Sequence, residues 1–118
     1  MSITLPLKAV QHLAKGRIPK DPRNGQEIEY EQLFLMGRAH GYEQIKLNIG
    51  QDAWYTPDYW VLGPDDVLEF HEVKGHWREA AKVRIRAAAK LYPWFRFRAA
   101  HYDRATKQWQ IEHFGPSE

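Results

Sequence analysis

The chain has 118 residues, with 17 Lys or Arg against 15 Asp or Glu, a formal net charge of +2, 43% hydrophobic residues and no cysteine. That length supports one hydrophobic core rather than two, and the apolar content, with five Trp, six Tyr and five Phe, points to a packed domain rather than a disordered chain. The lack of cysteine excludes a disulfide framework, a thiol nucleophile and thiolate zinc sites; with no apolar run of membrane-spanning length and no apolar leader core in residues 1–16, a cytoplasmic protein with no membrane partner is expected.

Residues 1–24 hold Pro6, Gly16, Pro19 and Pro22, with a short helix expected over residues 7–14, and read as an N-terminal arm; residues 25–118 read as a single domain. Residues 26–40 carry acids in the first turn and apolar side chains at Ile28, Leu35, Met36 and Ala39, which predicts a helix stopped by Gly41. Three segments rich in β-branched and aromatic residues follow, at 44–49, 53–62 and 67–74, separated by Gly50-Gln51-Asp52 and Gly63-Pro64-Asp65-Asp66, and predict a meander of strands. Pro57 cannot donate to a ladder and belongs at an edge or a bend. Residues 77–91 predict a second helix, ended by Pro93. Arg78, Lys82, Arg86 and Lys90 are spaced four apart on it as a basic stripe suited to phosphate contacts. Strands at 95–102 and 107–114 close the chain around Asp103-Arg104-Ala105-Thr106. The expected order is αβββαββ, an α/β or α+β fold on a small mixed sheet.

Charge is distributed unevenly. From Asp21 to Lys74 there are 11 acidic and 4 basic residues, and from Gly75 to Lys107 there are 2 acidic and 9 basic. One region is suited to cations and another to polyanions. Within the acidic block, Asp58 and Glu72 lie on neighbouring predicted strands, and Glu72 and Lys74, two apart, share one face while Val73 turns to the other. Two carboxylates and an ammonium would converge there. Hard oxygen ligands suit Mg²⁺ or Mn²⁺, with the Val73 carbonyl as a further ligand, and Lys74 is placed to act on a water or on developing phosphoryl charge. His71 faces away from Glu72, and with His76 lacks the one-turn spacing of common zinc sites. Trp54, Tyr55, Tyr59 and Trp60 suit core packing, with stacking on unpaired bases as the alternative use.

Pro57-Asp58 followed by Glu72-Val73-Lys74 resembles the motif of the PD-(D/E)XK nuclease superfamily. The run from Glu69 to Ile85, with Leu91-Tyr92-Pro93 beyond it, is similar to small nuclease-like proteins of phages and prophages. The resemblance covers about residues 24–112. It implies a restriction-endonuclease-like αβββαβ core with the motif on the second and third strands, and a Mg²⁺-dependent endodeoxyribonuclease, structure- or junction-specific, acting on DNA in the host cytoplasm. Asp58, Glu72 and Lys74 would be catalytic. Many members carry a further metal-binding Glu on the first helix. Asn24-Gly25-Gln26-Glu27-Ile28-Glu29-Tyr30 carries that role to Glu27, with Glu31, one turn on, as the alternative; the metal set is then Glu27, Asp58, Glu72 and the Val73 carbonyl. One small domain offers one active site, so cutting both strands of a duplex requires a homodimer or two encounters. The competing readings on the same fold are a nucleic-acid-binding module without turnover and a phage interaction protein.

Overall fold

Among the described residues the first helix begins where Asn24 accepts the Glu27 N–H at 2.9 Å while the Glu27 carboxylate accepts the Asn24 N–H at 2.9 Å, a reciprocal cap that satisfies two of the donors a helix start leaves open. The structure, a computed structural model, describes residues 20–76 and 78–115. The expected helix over 7–14, most of the expected arm, and Trp77 at the start of the second expected helix lie outside them.

Helix α1 spans Gly25–Tyr30 and continues as one wide π-helical turn, Glu31–Leu35, closed by the Met36 N–H on the Glu31 carbonyl at 3.1 Å. The helix ends five residues earlier than residues 26–40 predict. Gly37, at φ +83°, makes the left-handed turn that the sequence reading gave to Gly41. Residues His40–Tyr42 instead form strand β1. Gly41 has a different task there: a Cβ on it would stand 2.0 Å from Gln44 Oε1 and 2.3 Å from Trp60 Nε1, so only glycine lets the Trp60 indole lie across the strand.

The remaining elements are β2 (Leu47–Gly50), β3 (Ala53–Tyr55), β4 (Tyr59–Leu62), β5 (Leu68–Lys74), helix α2 (Glu79–Leu91), β6 (Arg96–Asp103) and β7 (Gln108–Phe114). The strand expected over 53–62 is two strands, broken at Thr56-Pro57-Asp58. Strand β3 pairs only with β2, as a separate hairpin, whereas β4 enters the main sheet. That sheet has the order β1-β4-β5-β6-β7 and is mixed: β5 and β6 run parallel across the α2 crossover, and every other pair is antiparallel. The described residues form an α+β domain with two helices and a five-stranded mixed sheet beside the β2–β3 hairpin.

Both faces of the sheet are covered. Ile85, Ala88 and Ala89 of α2 pack with Leu47 and Tyr55 of the hairpin on Phe70, Phe97, Ala99 and Phe114. Tyr30 and Leu35 of the first helical segment pack on Tyr59, Val61, Val73 and Ala100. The alternation of β5 follows, with Phe70 toward α2 and Val73 toward α1. Burial on both faces gives this central strand its near-continuous run of buried residues.

Candidate active site

Strand β5 sends Glu72 and Lys74 to the face that carries α2 and the hairpin. They meet as an ion pair, Lys74 Nζ to Glu72 Oε1, at 3.2 Å. The Glu72 side chain is 8% exposed and that of Lys74 34%, so the carboxylate sits inside and the ammonium reaches the surface.

Asp58 arrives through the end of a ladder. Strands β4 and β5 pair Tyr59 with His71; continuing that register would place Asp58 opposite Glu72 and Pro57 opposite Val73. Pro57 has no N–H to give, and the ladder stops at Tyr59. The Asp58 carboxylate takes the open position and accepts the Val73 N–H at 2.8 Å. A strand residue points its N–H and C=O to the same side, so the Val73 carbonyl also faces this edge. The proline of the motif is thus what frees a backbone oxygen beside the two acids.

Asp58 and Glu72 are both buried. Burial pushes the Asp58 carboxyl up to about 8, and the charges of Glu72 and Glu27 add to the rise, while the Val73 N–H and Lys74 oppose it. Burial likewise raises Glu72, against Lys74 and the Tyr55 hydroxyl. Two carboxylates facing one another out of water, with one ammonium between them and solvent, are short of positive charge. A hard divalent cation supplies it, and the oxygens of Asp58, Glu72 and Val73 are the donor type that Mg²⁺ and Mn²⁺ take. The residues present fit such an ion.

Glu27 stands one layer out. Its carboxylate accepts the Asn24 N–H and the Tyr42 hydroxyl, the latter at 3.1 and 3.2 Å, and its charge reaches Asp58. Among the described residues no three His, Cys, Asp or Glu side chains stand together as an ion-holding group. Glu31, the alternative, is committed elsewhere: it pairs with Arg23 and lies 3.6 Å from His40 Nε2. The structure therefore brings Asp58, Glu72 and Lys74 together, sets Glu27 beside them within electrostatic reach, and turns Glu31 away.

On α2 the four basic residues take different positions. Arg78 is the N-cap residue and is exposed, as is Lys90. Arg86 is bound to Glu79 at 2.9 Å, and Lys82 lies 4.0 Å from Glu112, so acids already attenuate the middle of the stripe. Of the four strand aromatics, Tyr55 and Tyr59 are core residues, Trp60 is half-buried, and Trp54 is 52% exposed with the Lys46 ammonium over its ring.

Two tyrosines of the site carry no signal in the sequence. The Tyr55 hydroxyl donates to Glu72 Oε2 at 3.0 Å, and Tyr42 holds Glu27. In a continuous strand over 53–62, Tyr55 and Asp58 would point to opposite faces; the break at Pro57 removes that constraint. Tyr42 lies on the strand hidden by the overlong helix. No protein family, curated protein or solved structure matches the chain.

Proposed function

We propose that this protein is a metal-dependent nuclease of the PD-(D/E)XK type that hydrolyses phosphodiester bonds of DNA. The observation that carries the reading is the buried Asp58 and Glu72 pair at the broken end of the β4–β5 ladder, with Lys74 3.2 Å from Glu72 on the solvent side. The path from α1 through β1, β4 and β5, then α2 and β6, follows the αβββαβ order of that superfamily once the β2–β3 hairpin is set aside as an insertion.

Asp58, Glu72 and the Val73 carbonyl would hold Mg²⁺ or Mn²⁺, with Glu27 acting on the ion through its charge or through water. Such an ion polarises the scissile phosphate and lowers the pKa of a bound water. The chain does the rest. The Val73 N–H fixes one Asp58 oxygen and the Tyr55 hydroxyl fixes one Glu72 oxygen, so both acids present their remaining lone pairs in set directions. Lys74, anchored on Glu72, places its ammonium at the mouth of the site, where it orients the attacking water and offsets charge on the phosphoryl oxygens.

The holding role has a direct thermal test. A carboxyl raised in the folded state stabilises the protein below its ordinary pKa and loses that contribution as pH rises through its folded value. For Asp58 the window runs from 3.8 to about 8. In EDTA, Asp58→Asn is therefore expected to melt above the wild type at pH 8, with the gap closing toward pH 5. Adding Mn²⁺ at pH 8 raises the wild-type melting temperature and leaves Asp58→Asn unmoved. Equal Mn²⁺ responses in the two proteins would remove Asp58 from the ion site.

A further inference from the structure

At the carboxyl ends of β5 and β6, which among the described strands of the sheet are the parallel pair, lies an open cleft of about 700 Å³ lined by Gln26, Gly75, His76, His101, Asp103 and Arg104 among others. Carboxyl ends of parallel strands are where open α/β sheets bind ligands. The cleft adjoins the candidate active site on two sides. Gln26 precedes Glu27, and Gly75 follows Lys74. His101 pairs with Lys74 across the sheet, and its Nδ1 lies 3.1 Å from the Lys74 carbonyl. A carbonyl only accepts, so Nδ1 carries the hydrogen in that contact.

The lining is built from donors. Gly75 leaves room for the Gln26 amide, since a Cβ there would stand 2.6 Å from Gln26 Oε1. The acid in the lining, Asp103, accepts the Ala105 N–H at 2.9 Å and the Gln110 amide at 3.3 Å, which hold its carboxylate back on the turn and leave its charge beside that of Arg104. Arg104 is exposed and makes no ion pair among the described residues, unlike Lys82 and Arg86 on α2. Arg104, in the turn just after β6, lies three positions beyond His101, which is level with Lys74; the chain can span at most roughly 11 Å over that stretch, within about three nucleotide steps along a duplex strand.

We propose that this cleft is a binding subsite for the phosphodiester backbone of the strand being cut, with Arg104 as its anchor and the amide of Gln26 and the imidazole of His76 as further donors. The assignment rests on the nuclease reading for the position of the scissile phosphate. The cleft takes the flanking phosphates, fixing which stretch of strand lies over Lys74.

The test uses the full chain, ¹⁵N-labelled and in EDTA, titrated with a 12-nucleotide single-stranded oligodeoxynucleotide and with its duplex, alongside Mg²⁺-dependent cutting of the same DNA. Amide shifts are expected to gather at Gly75, His76 and residues 101–105. Arg104→Gln should weaken binding about tenfold, and the slope of log affinity against log salt should fall by about one. Arg104→Lys, which keeps the charge, should restore the slope. Shifts that avoid the cleft, or a slope unchanged in Arg104→Gln, overturn the subsite even if the protein cuts DNA. Binding in the cleft without any cutting retains the subsite and overturns the nuclease reading. No binding of either DNA at low salt overturns both.

Discussion

Replacing Lys74 by Ala is expected to lower metal-dependent DNA cleavage by about 10²–10³-fold, the scale of removing one preorganised charge-stabilising donor, with the fold retained. The ammonium is the exposed member of the site: its side chain is 34% accessible and it pairs with Glu72. Its loss therefore leaves no cavity in either apolar cluster and takes away only charge at the mouth. Asp58→Ala should be at least as severe, because it removes an ion-holding oxygen and also the acceptor of the Val73 N–H. The two variants separate by what rescues them. Higher Mn²⁺ concentrations should recover no activity in Lys74→Ala, since the ion-holding acids are intact. Single-turnover cleavage measured across a metal series checks both, with circular dichroism confirming the fold. Lys74→Ala cutting within threefold of the wild type would take Lys74 out of the reaction.

The largest stability effect is expected on the opposite face of β5, at Glu69. Its side chain is 8% exposed and accepts from His71 Nε2 at 2.8 Å and Arg38 at 3.1 Å, with Arg96 at 3.5 Å. Because Nε2–H of His71 is spent on Glu69, Nδ1 is the acceptor for the Tyr30 hydroxyl at 2.6 Å. One carboxylate thus fixes the tautomer of a buried imidazole that ties α1 to the central strand. Glu69→Ala leaves Arg38 and Arg96 without this acid and His71 without its acceptor, and should cost about 2–3 kcal/mol, the scale of losing hydrogen bonds to a charged group and leaving a buried donor unmet. Burial alone would raise the Glu69 carboxyl, yet the hydrogen bonds from His71 and Arg38 and the charge of Arg38 hold it down at about 2. A lowered carboxyl contributes stability above its ordinary value, 4.5 here, and loses it as pH falls through its folded value. The gap between wild type and Glu69→Ala should accordingly narrow from pH 4.5 toward pH 2. Urea unfolding at pH 7 and at pH 3 measures both; a cost under 1 kcal/mol at pH 7 would show that the network is not holding α1 in place.

Much of this architecture can be read from the chain. The Gly63-Pro64-Asp65-Asp66 turn, the alternation of Phe70, Glu72 and Lys74 against His71 and Val73, and the helix and strands after it stand within about two residues of where pattern places them. Those signals are local. What pattern misses depends on tertiary context. Helical periodicity runs on through Ala39, but Gly37 turns the chain first and frees His40–Tyr42 to pair with β4. The aromatic run from Trp54 to Trp60 has the propensity of one strand, and only the missing N–H of Pro57, together with the demand of Val73 for an acceptor, breaks it into two. Glu69 reads as an ordinary surface charge until α1 covers its face of the sheet, and then it becomes the centre of a buried network with His71 and Arg38. At the site itself Asp58, Glu72 and Lys74 follow from strand parity and a single hairpin, whereas Tyr55 and Tyr42 come from elements whose boundaries the periodicity blurs.

If Asp58, Glu72 and Lys74 form the proposed hydrolytic site, DNA cleavage depends on a divalent ion and on Lys74. The most direct measurement incubates purified wild type and Lys74→Ala with supercoiled plasmid and with a four-way DNA junction, in Mg²⁺ or Mn²⁺ and in EDTA. Nicked or linear products are expected from the wild type with either metal, none in EDTA, and at most trace cutting by Lys74→Ala. DNA left intact by the wild type in both metals, or cut equally well by both proteins, would contradict the proposal.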